Sequence, residues 1–200
     1  MGILRNFNLN TLKTECFVET GTQRGMGLDY ALQHDYKELH SIEINEEYYN
    51  FCEQKYKFVD KVKLYLGSSE ERINDVLENI AHFDSCLFWL DAHLPDDPGS
   101  QIGEDHDRLQ DSLEFPLETE LKLIKEKRKT KNDFFLIDDL RIYVDGPFQY
   151  PGNTWPHHDK YPNFFPHKDG IKFIEDLYSE THNIQKIYDH EGYLLIVPKV

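Results

Sequence analysis

The chain has 200 residues, a length that suits one domain with a core of its own. Hydrophobic residues make up 39% and aromatic residues 14% of the chain, which is typical of a globular protein and argues against disorder. The formal net charge of -15 argues against general nucleic-acid binding, because Lys and Arg carry the affinity for phosphate backbones. Excess carboxylates are compatible with a cationic ligand or a divalent metal.

The cysteines and the first residues do not indicate export. Cys16, Cys52 and Cys86 lack the CxxC spacing of a zinc site, and they do not form a disulfide pattern. The first ten residues carry no signal-peptide pattern, and no apolar run approaches the ~18 residues of a membrane span. We therefore expect a soluble, cytoplasmic protein without membrane partners, and the sequence leaves a homo-oligomer open.

A glycine-rich turn between a strand and a helix dominates the first part of the chain. A short apolar run predicts a strand that ends at Glu19, and glycines follow at Gly21, Gly25 and Gly27 before a helical pattern begins. Glycine lets the backbone approach a ligand without a Cβ in the way. Strand, glycine turn and helix is the unit with which nucleotide-binding α/β domains begin.

Predicted strands and helices alternate along the rest of the chain. Further strands are predicted over 38–43, 62–66, 85–90, 133–137, 184–189 and 193–197, and helices over 27–34, 46–57, around 73–80, 116–129 and 170–178. The last two strands flank a His-Glu-Gly turn and predict a hairpin. The expected fold is α/β, with a Rossmann-like doubly wound sheet that is mostly parallel and ends in an antiparallel hairpin, in a single domain over 1–200.

Two segments interrupt this alternation. Residues 94–115 are polar, acidic and rich in helix breakers, and we interpret them as a long loop or lid. Residues 142–168 are rich in proline, histidine and aromatic side chains and are expected to form a second loop. Its aromatic residues suit contact with a planar or sugar-like acceptor, and they suit packing beneath the loop or an oligomer contact equally well.

Acidic residues end four of the five strands that precede the second loop. Glu19 and Glu43 end the first two, Asp91 follows the fourth, and Asp138 and Asp139 follow the fifth. Because ligands bind beyond the carboxyl ends of parallel strands, these groups are expected to line one site. Solvated strand-end acids are the simpler interpretation of the first two.

Glu43 is placed to accept hydrogen bonds from ribose hydroxyls, as in dinucleotide and S-adenosylmethionine sites. The glycine spacing separates these cases. It matches neither the GxGxxG pattern of dehydrogenases nor the P-loop pattern. An acid before the first glycine, in the form ExGxxxG, fits a methyltransferase turn.

Asp91, Asp138 and Asp139 supply the oxygen ligands that a hard divalent cation such as Mg²⁺ accepts. Alternatively, one or two of these aspartates cap the following segments or pair with Arg141. His93 suits a general base, a metal ligand or a structural donor, and the sequence does not separate the three roles.

Five segments in this order resemble class I S-adenosylmethionine-dependent methyltransferases: VETGTQRG, SIEINEEYY, LYLGSSEE, LFWLDAH and LIDDLR. The closest resemblance is to the metal-dependent O-methyltransferases, of the catechol and macrocin types, and it covers about residues 17–141. It implies the seven-stranded methyltransferase fold, S-adenosylmethionine as cofactor, and Mg²⁺ or another divalent cation.

The resemblance also implies roles for individual residues. The implied cofactor-binding residues are Glu19, Gly21, Thr22, Gly25, Glu43, Ser68, Ser69 and Asp91; the implied metal ligands are Asp91, Asp138 and Asp139; the catalytic candidates are Asp91 and His93. Catechol-type enzymes place a lysine base three residues after the first metal aspartate, where this chain has Leu94. His93 or a residue of the lid would have to replace that base.

The resulting expectation is a methyltransferase that transfers a methyl group, with metal assistance, to an oxygen of a small hydroxylated acceptor. The acceptor would be sugar-like, glycan-like or phenolic. Two alternatives stay open, namely a metal-independent N- or O-methyltransferase, and a non-catalytic binding protein with a degenerate methyltransferase fold.

Overall fold

A computed structural model describes residues 4–92, 116–129, 131–148 and 169–199. Within these ranges seven strands form one sheet, in the order β3-β2-β1-β4-β5-β7-β6. The strands are β1 (Cys16–Thr20), β2 (Glu38–Glu43), β3 (Val62–Leu66), β4 (Cys86–Leu90), β5 (Phe134–Ile137), β6 (His182–Ile187) and β7 (Tyr193–Pro198). Strands β1 to β5 pair in parallel, whereas β7 runs antiparallel to both β5 and β6. This confirms the predicted mostly parallel sheet and its closing hairpin.

Helices cover both faces of this sheet. They are α1 (Met26–Ala31), α2 (Glu46–Tyr56), α3 (Ser69–Asn79), α4 (Leu117–Arg128) and α5 (Lys172–Tyr178), with short 3-10 turns at Leu4–Asn6, Leu9–Leu12 and Leu140–Ile142. Successive strand residues point to opposite faces. Phe17 therefore packs with α1 and α2, and Val18 packs with α3, α4 and α5. Because both faces are covered, β1 and β4 are buried along their whole length.

The strand bounds agree with the predictions to within two residues. The largest shift is in β6, which begins at His182 although the apolar pattern begins at Ile184. The ring of His182 is buried there, and both of its nitrogens have polar partners. Nε2 contacts the carbonyl of Asp133 at 3.0 Å, and Nδ1 contacts the hydroxyl of Thr181 at 2.8 Å. These partners are distant or polar, so hydrophobic periodicity does not reveal them.

Most helix bounds agree with the predictions to within two residues, and the largest differences are at the beginning of α3 and the end of α1. Asn45 caps α2, since its side chain accepts the backbone N–H groups of Glu47 at 2.9 Å and Tyr48 at 3.1 Å. Helix α1 ends at Ala31, three residues before the predicted end. The chain tightens there into a turn in which the N–H of His34 donates to the carbonyl of Ala31.

Several predictions fall on residues beyond the described ranges. His93, the predicted lid over 94–115 and residues 149–168 of the second loop lie outside the described residues. The 3-10 turn Leu140–Ile142 ends where that loop begins, and within the loop Phe148 packs against Tyr188 with ring centroids 5.3 Å apart. None of the helices in the described ranges has the length and apolar character that crossing a bilayer requires. The single-domain interpretation stays a prediction.

Candidate functional site

The strand order reverses between β1 and β4, and this switch point is where open α/β sheets bind their ligands. Backbone hydrogen bonds continue the ladder past the strand ends. The N–H of Asp91 donates to the carbonyl of Thr20 at 3.2 Å, and the N–H of Asp138 donates to that of Leu90 at 3.2 Å. These bonds place the residues after β1, β4 and β5 at one edge of the sheet.

The glycine turn after β1 packs closely against its neighbours. Gly21 has a φ of +88°, and a Cβ at this position would overlap the carbonyl oxygen of Asp91. Gly25 precedes α1, and its carbonyl accepts a hydrogen bond from the hydroxyl of Tyr56 at 2.6 Å. The glycines therefore bring the turn against the end of β4 and against α2, which fixes the shape of the switch point.

A buried polar chain lies beneath this turn. The hydroxyl of Ser41 donates to Oε2 of Glu19 at 2.6 Å, and the hydroxyl oxygens of Thr22 and Ser41 are 2.5 Å apart. A hydroxyl has one hydrogen, so Thr22 donates to Ser41 while Ser41 donates to Glu19. Thr22 thus supports Glu19 from within the protein.

Glu19 itself is 2% exposed. Within the described part of the chain, it does not form an ion pair with a basic side chain. Burial raises the pKa of Glu19 from its ordinary 4.5 to about 8; the Ser41 hydrogen bond opposes this, and the carboxylates of Asp91 and Glu43 add to it. A Cβ at Gly27 would overlap Oε1 of Glu19, so the third glycine makes room for this carboxyl group.

Glu43 connects the glycine turn to the start of α2. Its Oε2 accepts the backbone N–H of Gln23 at 2.6 Å, and its Oε1 accepts that of Asn45 at 2.7 Å. Burial raises the pKa of Glu43, although these backbone hydrogen bonds oppose the effect. The backbone N–H groups of Ile44 and Thr22 also interact with this carboxylate, so any further donor would share an oxygen that already accepts a hydrogen bond.

Sequence reasoning missed Ile44, which directly follows Glu43. Its side chain is apolar yet 44% exposed, beside a strand-end acid. An exposed apolar surface next to a ribose acceptor suits the face of a purine ring. The sequence did contain a signal, namely an apolar residue immediately after the acid. The strand pattern explains an apolar residue at this position equally well, so the signal did not indicate a site.

The start of α3 faces a buried acid from α4. Ser68 caps α3 by accepting the N–H of Glu71 at 3.3 Å, and Ser69 is buried. Glu120 is 1% exposed, and its Oε1 has no hydrogen-bond partner among the described residues. Its carboxyl group interacts with the hydroxyls of Ser69 and Thr20, which places it beside the switch point.

Burial raises the pKa of Glu120 from 4.5 to about 7; the Ser69 and Thr20 hydroxyls oppose this, and the charge of Asp91 adds to it. An acid in the first turn of a helix has a local explanation in the helix dipole. The signal that sequence reasoning missed is spacing, because Glu120 lies on the same face as Leu117, Leu121 and Ile124.

The three aspartates come together as predicted. One carboxylate oxygen from each of Asp91, Asp138 and Asp139 lies within 4.8 Å of the others. Opposite ligands are ~4.2 Å apart around Mg²⁺ and up to ~5 Å apart around Ca²⁺, as their metal–oxygen distances require. The separation of the three oxygens is therefore compatible with a shared hard divalent cation.

Internal contacts orient these aspartates. Oδ1 of Asp138 accepts the N–H of Asp139 at 2.9 Å, and Nε of Arg141 lies 3.0 Å from Oδ1 of Asp139. Asp139 adopts the left-handed conformation with a φ of 51°, which Asp tolerates better than most residues. The pairing with Arg141 that the sequence offered as an alternative is therefore present, alongside the convergence of the three carboxylates.

Tyr143 lies close to the same acids. Burial raises the pKa of Tyr143, and the charges of Glu120, Asp139 and Asp91 raise it further. The tyrosine is 5% exposed and stays neutral over the physiological range. It belongs to the core cluster that includes residues of α3, α4 and α5.

Sequence comparisons do not identify a family. No family model matches the chain, and no curated protein matches it in sequence. Solved structures do match over nearly its whole length. With a TM-score of 0.60 and 19% identity, it is similar to the methyltransferase PaMTH1 of Podospora anserina with bound S-adenosylhomocysteine, covering 94% of this chain and 73% of that one.

Two O-methyltransferase structures are also similar. One is a putative caffeoyl-CoA O-methyltransferase from Staphylococcus aureus, with a TM-score of 0.58, 13% identity, and coverage of 98% of this chain and 81% of that one. The other, from Bacillus cereus in complex with S-adenosylhomocysteine, has a TM-score of 0.54, 12% identity, and coverage of 96% and 77%. The chain has the class I methyltransferase fold.

Proposed function

We propose that the chain is an S-adenosylmethionine-dependent methyltransferase that methylates an oxygen of a small hydroxylated acceptor with the help of a divalent cation. The observation that carries the proposal is the acidic edge at the switch point, where Glu43 faces the glycine turn and three aspartates converge. The similar structures with bound S-adenosylhomocysteine support the cofactor. Two of the similar proteins are described as O-methyltransferases, which favours oxygen as the methylated atom.

The buried carboxyl groups at this edge of the sheet suit a positively charged cofactor. S-adenosylmethionine supplies a methyl group on a positively charged sulfonium. Glu43 would accept the ribose hydroxyls, and Ile44 would lie against the adenine, next to Ser69. Burial raises the pKa of Glu19 to about 8 and of Glu120 to about 7, so near pH 7 these carboxyl groups hold protons that a bound cation would displace. The chain would thus offer acids that ionise beside a positively charged ligand, and an acceptor for the ribose.

The aspartates would hold the metal. When bound, a divalent cation lowers the pKa of a nearby hydroxyl and orients it. Asp139 is fixed by Arg141, and Asp138 is fixed by the backbone of Asp139, so the ligands are oriented before anything binds. Asp91 follows β4 between the glycine turn and Asp138, so it would contact both halves of the site. Asp91 and His93 remain our catalytic candidates, and the sugar-like or phenolic acceptor remains part of the proposal.

Calorimetric titration of S-adenosylhomocysteine into the protein tests the cofactor site. We expect micromolar binding, and a loss of about tenfold or more in Glu43→Gln, because hydrogen bonds to a charged acceptor contribute ~1.5–3 kcal/mol. Glu47→Gln is the matched control, since Glu47 is an exposed acid four residues away and should leave the affinity unchanged.

Thermal unfolding of Glu43→Gln shows whether the turn remains folded, because Glu43 also accepts two backbone N–H groups. A folded Glu43→Gln variant with the affinity of the wild type would contradict the assigned role. Absence of any binding to the wild type, with or without Mg²⁺, would favour a binding protein that only retains the fold.

A metal-independent methyltransferase is the second candidate, and the Arg141–Asp139 contact at 3.0 Å favours it. In that case the aspartates would bind the acceptor directly, and Arg141 would balance one of the three charges. Methyl transfer that is unchanged by EDTA would support this candidate. Loss of transfer on chelation, with recovery on adding Mg²⁺, would support the metal-assisted reaction.

A further inference from the structure

A cavity lies at the opposite edge of the sheet, where β5 and β6 begin and β7 ends. Its volume is about 330 Å³, at the lower end of the ~300–1,000 Å³ that small-ligand sites occupy. Phe135, Tyr178 and His182 line its inner part, and the last turn of α4 forms one wall. The proposed cofactor and metal residues do not contribute to this lining.

The side chains that line the cavity are mostly basic, whereas the chain as a whole is acidic. Lysines and arginines total 22 and acids total 37 in the whole sequence. Around the cavity, five basic side chains face two acidic ones, the basic residues being Lys125, Arg128, Lys129, Lys131 and Lys199, and the acidic ones Asp133 and Glu180. A local excess of positive charge in so acidic a protein attracts anions.

One of the two acids is already neutralised. Asp133 is 3% exposed and accepts Nε and Nη2 of Arg128, each at 2.7 Å. The guanidinium of Arg128 also donates to the carbonyls of Ile80 and Phe83, so it is fixed in place. This pair forms a neutral base to the cavity, and the lysine charges remain unbalanced by it.

Three of the four lysines have no carboxylate partner in the described part of the chain. Lys125 donates to the hydroxyl of Thr181 at 3.2 Å and lies 5.0 Å from the Tyr178 ring, which orients its ammonium group at the cavity. Lys199 donates to a backbone carbonyl at 2.6 Å. Lys131 pairs with an aspartate whose side chain is 97% exposed, and such a pair is weak and exchangeable.

Complementation of the helix dipole explains only part of this cluster. Basic residues in the last turn of α4 stabilise its negative end, whatever they face. However, Lys131 follows that helix, and Lys199 follows β7, yet both line the same cavity. Lys127 lies in the last turn and does not line it. Cations from separate segments therefore converge here beyond what the helix end requires.

We propose that this cavity binds a small molecule that carries a phosphate or diphosphate group. Lysine ammonium groups bind phosphate oxygens as point charges, and the Thr181 hydroxyl oxygen holds the Lys125 ammonium group in place by accepting its hydrogen bond. The site is separate from the methyl-transfer edge and does not depend on the proposed reaction. The narrow volume suits a small anion or a metabolite and excludes a macromolecular ligand from its interior.

Titration with inorganic pyrophosphate at ~0.15 M salt, where exposed charges are screened beyond ~8 Å, tests the site. We expect saturable binding, which is measured by calorimetry and by the NMR signals of the His182 ring. Lys125→Gln combined with Lys199→Gln should weaken it at least tenfold, because two charged contacts worth ~1.5 kcal/mol or more are lost. Lys127→Gln, on the same helix, should change the affinity less than about twofold.

Thermal unfolding shows that each variant is folded before the titrations are compared. Three results would overturn the proposal: no saturable binding to the wild type, an equal loss in the Lys127 control, or His182 signals that do not move. Weakening confined to the double variant, with His182 shifts in the wild type, would establish the site independently of any methyltransferase activity.

Discussion

Buried acids lie at both edges of the sheet, and the protein treats them in opposite ways. At the edge where the parallel strands begin, Asp133 accepts two hydrogen bonds from Arg128 and one from the N–H of Cys86 at 2.8 Å. At the edge where they end, Glu19 accepts one bond from Ser41, and Oε1 of Glu120 lacks a partner among the described residues. Asp133 has a cation as partner, whereas Glu19 and Glu120 have none in the described part of the chain.

This difference separates stability from function. A buried charge without a counter-ion is costly, and proteins rarely keep one without a use for it. Burial raises the pKa of Glu19 to about 8 and of Glu120 to about 7, as expected for acids that lack a cation. Burial alone would lower the pKa of Arg128, but its Asp133 partner raises it. A positively charged ligand would supply at the first edge what Arg128 supplies at the second.

The largest expected effect comes from breaking the balanced pair. Arg128→Met keeps the length of the side chain but leaves Asp133 buried and unpaired. We expect the free energy of unfolding to fall by ~3–5 kcal/mol, as measured for other broken buried pairs. Urea unfolding measures the loss, and Lys127→Met on the exposed side of the helix is the control. A loss below about 1 kcal/mol would show that this edge does not depend on the pair.

The second prediction concerns the unbalanced edge and has the opposite sign. Glu120 binds its proton more tightly in the folded chain, with a pKa of about 7 against an ordinary 4.5. Between these values the unfolded chain loses the proton first, so the wild type loses stability as pH rises, by ~1.4 kcal/mol per unit from this group. Below the window the penalty is absent, and above it the penalty is complete.

Glu120→Gln removes that titration. We expect the stability of this variant relative to wild type to rise by roughly 3 kcal/mol between pH 4 and pH 8, measured by urea unfolding. Glu126→Gln, at an exposed position of the same helix, should follow the wild-type curve. Parallel curves for Glu120→Gln and wild type would mean that the buried carboxyl is already compensated.

The contrast between these two edges was only partly predictable. Apolar runs, glycines and strand-end acids are local patterns, so the sequence predicted the sheet, the switch point and the convergence of Asp91, Asp138 and Asp139. Glu120 escaped prediction because its partners Thr20 and Ser69 are distant in sequence. A carboxylate in the first turn of a helix also has a sufficient local explanation.

The pair between Arg128 and Asp133 shows the same limit. The two residues are five positions apart, but their burial depends on the carbonyls of Ile80 and Phe83, which fold in from another helix end. The spacing of charges indicates which groups are close, whereas the cost of burying them depends on packing that periodicity does not encode.

A third prediction tests whether a metal balances the acidic edge. Adding Mg²⁺ or Ca²⁺ should stabilise the wild type, by ~2.7 kcal/mol at a concentration 100 times the dissociation constant. Asp138→Asn should lose most of this gain, although its amide oxygen can still accept the N–H of Asp139. Asp145→Asn, an exposed acid beyond the 3-10 turn, is the control. Equal stabilisation of all three proteins would place the cation elsewhere.

The smallest expected effect is at Ser68, where variants distinguish a contribution to stability from a direct contact with the cofactor. The hydroxyl of Ser68 caps α3 through a long bond of 3.3 Å, so Ser68→Ala should cost ~0.5–1 kcal/mol, whereas Ser68→Asn should restore the cap. If the same hydroxyl also contacts the adenine, both variants should weaken S-adenosylhomocysteine binding. If affinity follows stability instead, Ser68 contributes by fixing the start of α3 and hence the position of Ser69. The cofactor would then contact the backbone and Glu43 and not the Ser68 side chain. Calorimetry on the two variants distinguishes these outcomes, because only a direct contact separates affinity from the cap.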